Sequence, residues 1–411
     1  MHRTIKIIAT ICAVFSFFIF ASIVFFEFTI PNRINIVEGS NYTGKTILGI
    51  DILNFKSQKN VNNIQNRKNS ENEAEIMLLN IIPIKKATII NSKRKYVVLG
   101  GDLFGIKMYT DGVIVVDVDD IETDDGIKNP AKNAGIKIGD IIKSVDGVVV
   151  TSTSHFSKIL QNSKGNKISI SLLRDGKEIK VNFKTLKEAY TGKYRAGLWV
   201  RDSAAGLGTI SFYNPENESF GGLGHAIYDV DTNEIMPLKY GEMCQVTING
   251  VYKSSKGNIG ELSGILDSES IGTICINGET GVYGFSCCPQ KDLIPVAVKQ
   301  EVKEGKAQIA CTVNDKTEFY DIEITRIFSK PNSINKDMII KITDNRLLGL
   351  TGGIVQGMSG SPIIQNGMFV GAVTHVFVNN PRQGYAILAE KMLETSTCQE
   401  MEKQKQSNKA S

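Results

Sequence analysis

The side chain most able to act as a nucleophile is Ser359, in the glycine-rich stretch GGIVQGMSGSPII at residues 352–364. It stands between Gly357 and Gly360 in the pattern G-x-S-G-x-P. Glycines at these places let the backbone turn tightly and approach a substrate carbonyl closely. Such a turn can point the Gly357 and Ser359 N–H groups into one concavity, where they would form an oxyanion hole. We therefore predict a nucleophile at Ser359, with Gly357 and Ser359 as the oxyanion-hole donors.

A serine hydroxyl is a weak nucleophile at its own pKa and needs a neighbouring base. The chain has four histidines. His2 precedes an N-terminal apolar run and His155 lies in a separate, earlier segment, which leaves His225 and His375. His225, in FGGLGHAI, precedes the serine along the chain, and this order is the one found in trypsin-like proteases. We predict His225 as the general base and keep His375, in the strand-like run VGAVTHV, as the alternative.

The acid that would orient the base is predicted at Asp344, which follows a strand-like run and precedes Ser359 by 15 residues. Asp229 and Asp231, close after His225, are typical of turn residues. The sequence patterns of two other hydrolase classes are absent from this chain. The residue two after Ser359 is a serine, so the G-x-S-x-G elbow of α/β hydrolases is absent. HExxH is absent as well, and we expect neither a metal nor a cofactor.

The elements that must position these residues are predicted to be short β-strands. The chain of 411 residues, 38 of them glycine, alternates apolar runs with turn signals, and two or three domains are expected. Residues 189–395 indicate a β sandwich or a pair of barrels, and the likeness of the serine loop to trypsin-like proteases favours a double β-barrel peptidase domain. The net charge of +4, without a basic stripe, excludes a nucleic-acid-binding protein. Seven cysteines without a CxxC pair indicate neither zinc ligands nor a disulfide framework.

Residues 96–188 resemble a PDZ domain of the bacterial protease type. The stretch AGIKIGDII at residues 134–142 carries this resemblance, and HFSKILQ at residues 155–161 predicts a short amphipathic helix that Ser152 or Ser154 could cap. Gly105, Ile106, Lys107 and Met108 stand where PDZ domains keep their carboxylate-binding loop. The resemblance implies that the N–H groups of these four residues hold a peptide C-terminus. We predict His155 to be a solvent-exposed helix residue.

The N-terminal residues 1–28 are predicted to anchor the chain in a membrane. Ile7 to Phe26 is an uncharged run of 20 residues with Arg3 and Lys6 before it, so the positive-inside rule places the remaining chain outside the cytoplasm. The alternative is a cleaved signal peptide, but the run ends in FFEF rather than in small residues. Residues 29–95 are predicted to be a linker or processing segment with short strands, polar and Asn-rich at 56–75. Residues 396–411 are predicted to be a polar tail.

Several stretches together resemble the stage IV sporulation protein B peptidases. They are residues 352–364, GAVTHVFVNNP at 371–381, GLGHAIYDVDT at 222–232 and GEL at 260–262. The resemblance implies a triad at His225, Asp344 and Ser359 in an exported endopeptidase of the space between the two forespore membranes. It further implies self-cleavage near the N-terminus, guided by the PDZ domain. The implied protein substrate is a membrane-bound regulator of an intramembrane protease, whose cleavage signals sigma-factor activation.

Two competing hypotheses come from other functional classes. One is a non-catalytic PDZ scaffold with an inactive protease domain, which an inactivating change at His225 or Ser359 would favour; neither change is present. The other is a heat-shock type protease-chaperone. Those proteins usually carry the PDZ domain after the protease, whereas here it comes first. We therefore favour the serine endopeptidase.

Overall fold

A computed structural model describes residues 2–29, 33–37, 46–47, 50–51, 53–57, 70–78, 82–314, 316–328 and 333–396. Residues 58–69 of the predicted linker, and all of the predicted tail after residue 396, lie outside the described residues.

The described residues form five α-helices and one short 3-10 helix at Lys299–Glu301. The α-helices are α1 (His2–Thr29), α2 (Pro130–Asn133), α3 (Thr153–Asn162), α4 (Asn345–Thr351) and α5 (Ala389–Ser396). The strands are β1 (Arg33–Val37), β2 (Thr46–Ile47), β3 (Ile50–Asp51), β4 (Leu53–Ser57), β5 (Ser70–Leu78), β6 (Ile82–Ser92), β7 (Tyr96–Leu99), β8 (Leu103–Asp117), β9 (Ile121–Thr123), β10 (Gly126–Lys128), β11 (Ile141–Val145), β12 (Val148–Val149), β13 (Lys167–Arg174), β14 (Lys177–Lys184), β15 (Leu186–Lys187), β16 (Tyr194–Arg195), β17 (Trp199–Asn214), β18 (Ser219–Gly222), β19 (Tyr240–Tyr252), β20 (Glu261–Gly278), β21 (Gly281–Ser286), β22 (Leu293–Pro295), β23 (Gly305–Thr312), β24 (Thr317–Ile327), β25 (Met338–Ile342), β26 (Pro362–Gln365), β27 (Met368–Val376) and β28 (Gln383–Leu388).

Helix α1 contains the predicted apolar run. Its stretch Ile7–Phe25 has 19 residues and none of it is buried against the rest of the protein. A helix of that length extends roughly 28 Å at 1.5 Å per residue, which is close to the thickness of a bilayer hydrocarbon core. Length and composition fit a membrane span and an N-terminal signal sequence equally well.

Six strands close into one barrel, which we call the N-terminal barrel; five of them lie in the predicted peptidase domain and β8 lies in the segment predicted to be the PDZ domain. Strand β8 pairs with β19, and the pairing continues through β20, β21, β18 and β17 back to β8. Alternate side chains of β8 point into its core, where Phe104, Ile106 and Met108 are buried together with Phe220 of β18. This alternation of apolar side chains is what closes the strands around a common interior.

A second group of six strands forms the C-terminal barrel. Its closed order is β23, β24, β25, β28, β27 and β26. Isoleucines from successive strands fill the interior, including Ile309, Ile322 and Ile340, each at most 1% exposed. The expected mostly-β, double-barrel fold is therefore confirmed.

The segment predicted to be a PDZ domain has its own core, and its strands continue the sheet of the N-terminal barrel through β8. Strand β11 lies between β13 and the second half of β8, at Val113 and Ile114, and β14 completes the sheet. Helix α3 packs Phe156 and Leu160 into that core. Ser152 is its N-cap, because its hydroxyl accepts a hydrogen bond from the His155 N–H at 3.1 Å. The predicted amphipathic helix and cap are thus present.

The interpretation of Gly105, Ile106, Lys107 and Met108 as a carboxylate-binding loop is wrong. These residues lie in β8, paired with β17 on one side and with β19 on the other. A strand with neighbours on both edges has its backbone groups engaged in the two ladders, so it cannot cradle a peptide carboxylate. Burial of the alternating apolar side chains in the barrel explains the difference. Strand β8 thus serves both units, and the PDZ segment is inserted between the β8 and β17 strands of the N-terminal barrel.

Candidate active site

The predicted nucleophile Ser359 and both candidate bases, His225 and His375, line one cavity of about 460 Å³ between the two barrels, whereas Asp344 does not line it. The N-terminal barrel and its loops supply Ala204, Ala205, Gly206, Leu207, Leu223, His225, Ala226 and Ile227, and the C-terminal barrel supplies Ile354, Val355, Gln356, Gly357, Ser359, Thr374, His375 and Val376. The lining is mostly apolar and carries no ionised side chain. Such a cavity can take an apolar substrate side chain and strengthens the electrostatic interactions inside it.

Ser359 lies on the loop that joins α4 to β26. The loop has left-handed backbone at Gly357, with φ of 97°, and at Gly360, with φ of 95°. A Cβ atom on Gly360 would lie 2.0 Å from the Thr209 carbonyl oxygen, so only glycine fits against β17 there. The Ser359 hydroxyl donates a hydrogen bond to the Thr374 carbonyl oxygen at 2.8 Å. The hydroxyl of Ser359, the predicted nucleophile, is therefore held at the cavity wall by a loop that requires glycine at positions 357 and 360.

Some backbone N–H groups of this loop donate hydrogen bonds within the protein, and others do not. The N–H groups of Met358, Gly360 and Ser361 donate to backbone carbonyls at 3.1, 2.8 and 3.0 Å. Within the part of the chain that the structure describes, the N–H groups of Gly357 and Ser359 donate no hydrogen bond. These two are the predicted oxyanion-hole donors. Both residues line the cavity, so this pattern leaves the pair available to a substrate oxygen.

His225 follows β18 on a turn with left-handed backbone at Leu223 and Gly224. Its Nδ1 lies 2.8 Å from the Ala226 carbonyl oxygen. A carbonyl oxygen can only accept, so Nδ1 must carry the proton of the neutral ring and Nε2 has the free lone pair. That tautomer is the one a general base needs. Desolvation by burial lowers the pKa of His225, which keeps the ring neutral at neutral pH.

His375, the alternative base, lies on β27 beside His225. The two ring centroids are 4.9 Å apart with 38° between the planes. Burial, together with the charges of His225 and Lys336, lowers the pKa of His375 to about 4. Its Nδ1 is buried and has no hydrogen-bond partner among the described residues. The structure therefore brings both candidate bases to the cavity, and only His225 has a ring nitrogen fixed by a hydrogen bond.

The predicted contact between Asp344 and His225 is not formed. Asp344 caps helix α4, accepting from the Arg346 N–H at 2.8 Å, and pairs with the Arg346 guanidinium at 2.8 Å. The hydrogen bond from Arg346 lowers the pKa of the Asp344 carboxyl group. Among the described residues Asp344 makes no hydrogen bond to either cavity histidine. An aspartate directly before a helix is a favourable N-cap, and this role accounts for its position after β25.

Asp229 and Asp231 are turn residues, as their spacing indicates. The Asp229 carboxylate accepts from the N–H groups of Asp231 and Thr232, both at 3.0 Å. Arg201 pairs with Asp229 and with Asp231 at 2.6 Å each. These bonds hold the loop that follows His225.

The side chain of Asn277, which no sequence pattern singles out, holds the loop that follows His225. The Asn277 amide accepts from the Ile227 N–H at 2.8 Å and donates to the carbonyls of Ile227 and Met236 at 2.9 Å each. Asn277 precedes Gly278, and this pair indicates only a hairpin turn. No local pattern signals bonds to a loop 50 residues earlier.

In the described ranges no cluster of three or more histidine, cysteine, aspartate or glutamate residues could hold a metal.

Residues 192–393 match the family model for the SpoIVB peptidase S55, and residues 100–185 match that for the PDZ domain. The PDZ domain of the SdrC-like protein Lmo2051 from Listeria monocytogenes is 22% identical over 22% of this chain and 87% of its own, with a TM-score of 0.18. The active form of the Rv3671c protease from M. tuberculosis is 13% identical over 46% of this chain and 72% of its own, with a TM-score of 0.29. The inactive form of the same protease is 13% identical over 47% of this chain and 85% of its own, with a TM-score of 0.26. TM-scores this low establish no residue correspondence. No curated protein matches the chain.

Proposed function

We propose that Ser359 is the nucleophile and His225 the general base of this serine peptidase, whose residues 192–393 match the family model for the SpoIVB peptidase S55. One observation carries this proposal. Ser359, His225 and the two unused N–H groups of Gly357 and Ser359 line the same cavity between the barrels. This set contains the nucleophile, the base and the oxyanion donors that acyl transfer requires.

The proposed reaction is peptide-bond hydrolysis through an acyl-enzyme. The Ser359 hydroxyl rotates from the Thr374 carbonyl towards His225 Nε2, which takes its proton as Oγ attacks the scissile carbonyl. The N–H groups of Gly357 and Ser359 hold the negative oxygen of the tetrahedral intermediate. The protonated His225 then gives its proton to the leaving amine. A water molecule, deprotonated by His225, then attacks the acyl-enzyme, which releases the acid product and restores the Ser359 hydroxyl.

In this proposal the Ala226 carbonyl orients the base. It accepts from His225 Nδ1–H, which is the position an acid occupies in the Ser-His-Asp triad. A carbonyl dipole supports the imidazolium less than a full negative charge would. The family resemblance implies Asp344 for this role, but the contacts of Asp344 at the start of α4 do not support that assignment.

We further propose that the enzyme acts outside the cytoplasm, anchored by α1, in the space between the forespore membranes. Its proposed substrates are its own N-terminal region and a membrane-bound regulator of an intramembrane protease, so that cleavage signals sigma-factor activation in sporulation. The PDZ domain supports substrate targeting, because PDZ domains bind extended peptides by strand addition. The apolar helix α1 supports the membrane anchor, and the match to the SpoIVB peptidase model supports the proposed location and substrates.

The test uses the full chain in detergent, with Ser359→Ala compared to Ser361→Ala. Ser361 is fully buried and its hydroxyl has no hydrogen-bond partner in the described residues, so it is a matched neighbouring serine. We expect Ser359→Ala to abolish self-cleavage, cleavage of the co-reconstituted regulator and labelling by a fluorophosphonate, while Ser361→Ala keeps all three. Self-cleavage by purified Ser359→Ala protein would instead assign the nucleophile elsewhere. Proteolysis without cleavage of the regulator would overturn the substrate assignment alone.

A further inference from the structure

Strand β17 of the N-terminal barrel holds the Ser359 loop of the other barrel through two buried hydroxyl groups. Thr209 Oγ1 donates to the Gly357 carbonyl at 2.8 Å, and Ser211 Oγ donates to the Gly360 carbonyl at 2.7 Å. Between them the Thr209 N–H donates to the Ser359 carbonyl at 2.9 Å. Thr209 and Ser211 are 1% and 0% exposed, so water does not compete for these bonds. Three carbonyls around the nucleophile are thus fixed from outside the loop.

Gly357 is the residue whose conformation the first of these bonds controls. Its N–H is one predicted oxyanion donor, and the Ser359 N–H, two residues later, is the other. Glycine reaches many backbone conformations at low cost, so a rotation about its own bonds would swing one donor away from the other. The bond from Thr209 holds the Gly357 carbonyl and therefore the angle ψ at this glycine. Without the hydroxyl, the Gly357 carbonyl would lose its buried partner, which favours a rotated peptide plane.

We propose that Thr209 and Ser211 are positioning residues that keep the Gly357 and Ser359 N–H groups directed at the substrate oxygen. They lie two residues apart on β17, so both side chains point from the same face of the strand. Neither touches the substrate carbonyl; each acts through the backbone of the Ser359 loop. This inference rests on the proposed role of Ser359, and it adds that the oxyanion hole is set by the contact between the two barrels.

The test removes one hydroxyl without changing side-chain shape. Thr209→Val is isosteric and deletes the donor, whereas Thr209→Ser keeps it. With a chromogenic peptide substrate, we expect Thr209→Val to lower kcat by roughly tenfold or more with little change in KM, since misplaced catalytic groups cost the transition state most. Binding of a peptide boronic acid, whose tetrahedral adduct places an oxygen in the oxyanion hole, should weaken by a similar factor. Thr209→Ser should restore both values to within about threefold of the wild type.

Thr312→Val is the matched control. Thr312 Oγ1 also donates to a glycine carbonyl, that of Gly101, at 2.9 Å across 211 residues, but it does not line the cavity. Its loss should lower the melting temperature and leave kcat and boronic acid affinity unchanged. If Thr209→Val, like Thr312→Val, leaves both kcat and the affinity for the boronic acid unchanged, the positioning role is refuted. If Thr209→Val does not fold, Ser211→Ala, which deletes a single oxygen atom, must show the same selective loss in kcat.

The controls also separate this inference from the proposed function. Activity in Ser359→Ala would refute the nucleophile assignment and with it the inference. An inactive Ser359→Ala with a fully active Thr209→Val would refute the positioning role alone.

Discussion

If His225 is the general base, as proposed, the pH dependence of peptide cleavage follows from the environment of its ring. A general base must be neutral, so activity falls as the pH drops through the pKa of the folded base. Burial lowers the pKa of His225 from the ordinary value near 6.5, and in the described residues no carboxylate pairs with the ring to oppose this shift. The acid limb of kcat/KM is therefore expected below pH 6.5.

The expected fall in kcat/KM at low pH can be calculated by comparison with a histidine of ordinary pKa. A histidine with a pKa of about 6.5 is roughly three-quarters protonated at pH 6, so kcat/KM would fall about fourfold between pH 8 and pH 6. With the pKa lowered by burial, the fall over this interval should be clearly smaller than fourfold. The assay is kcat/KM for a peptide without ionisable side chains, measured between pH 5 and pH 9 at constant ionic strength. An acid limb centred at or above pH 6.5 would contradict the reasoning.

A variant of the neighbouring histidine tests the cause of the shift. His375 packs against His225 at a centroid distance of 4.9 Å. Replacing it with alanine opens the cavity wall to water, which reduces the desolvation of His225, raises its pKa and moves the acid limb upward. The control is His155→Ala, because His155 lies on helix α3 of the PDZ domain. An acid limb that stays in place in His375→Ala would show that burial by this ring does not set the pKa.

Two further predictions concern the Asp344 cap and a glycine of the Ser359 loop. Asp344→Asn keeps a good N-cap through one side-chain oxygen and loses the bonds that the other oxygen accepts from the Asp321 N–H and the largely exposed Arg346 guanidinium, so we expect a small loss of stability in urea unfolding and kcat within about threefold. A drop in kcat near 10⁴-fold, as when a triad aspartate is replaced, would show instead that Asp344 reaches the base. Gly360→Ala places a Cβ 2.0 Å from a backbone oxygen of β17, so we expect loss of activity and a destabilisation of at least about 3 kcal/mol. Gly367→Ala, also at positive φ but with no atom within 4 Å, should cost only about 1 kcal/mol and retain activity.

The parts of the site that lie within one short stretch were predictable from the sequence. The G-x-S-G-x-P pattern requires left-handed or close-packed glycines around a serine, and the structure has both at Gly357 and Gly360. The alternation of short apolar runs with turn signals predicts a mostly-β fold that is either a sandwich or a pair of barrels, and the likeness of the serine loop to trypsin-like proteases favours the barrels. Helix α3 was also predictable, because its apolar face and its Ser152 cap are local features.

The parts that depend on distant contacts were not predictable. Asp344 follows a strand and precedes the nucleophile, and the same context suits a triad acid and a helix cap; only the position of Arg346 and α4 distinguishes the two roles. The Thr209 bond to the Ser359 loop spans 148 residues, and no residue type or spacing signals it. Gly105 to Met108 fits a PDZ loop in its order along the chain, but pairing with β17 and β19 decides its structure.

Strand sharing between the PDZ domain and the peptidase has a consequence for how the two functions are joined. The first half of β8 gives Phe104, Ile106 and Met108 to the N-terminal barrel, whereas its second half pairs with β11 of the PDZ sheet. The chain then returns along β17, which first pairs with the PDZ half of β8 at Trp199, next lines the cavity at residues 204–207, and then holds the Ser359 loop. A peptidase domain beginning at residue 189 would lack β8, leaving two open strand edges and an exposed apolar interior. The proposed catalytic site therefore requires β8, which precedes the PDZ insertion in the chain and closes the N-terminal barrel between β17 and β19.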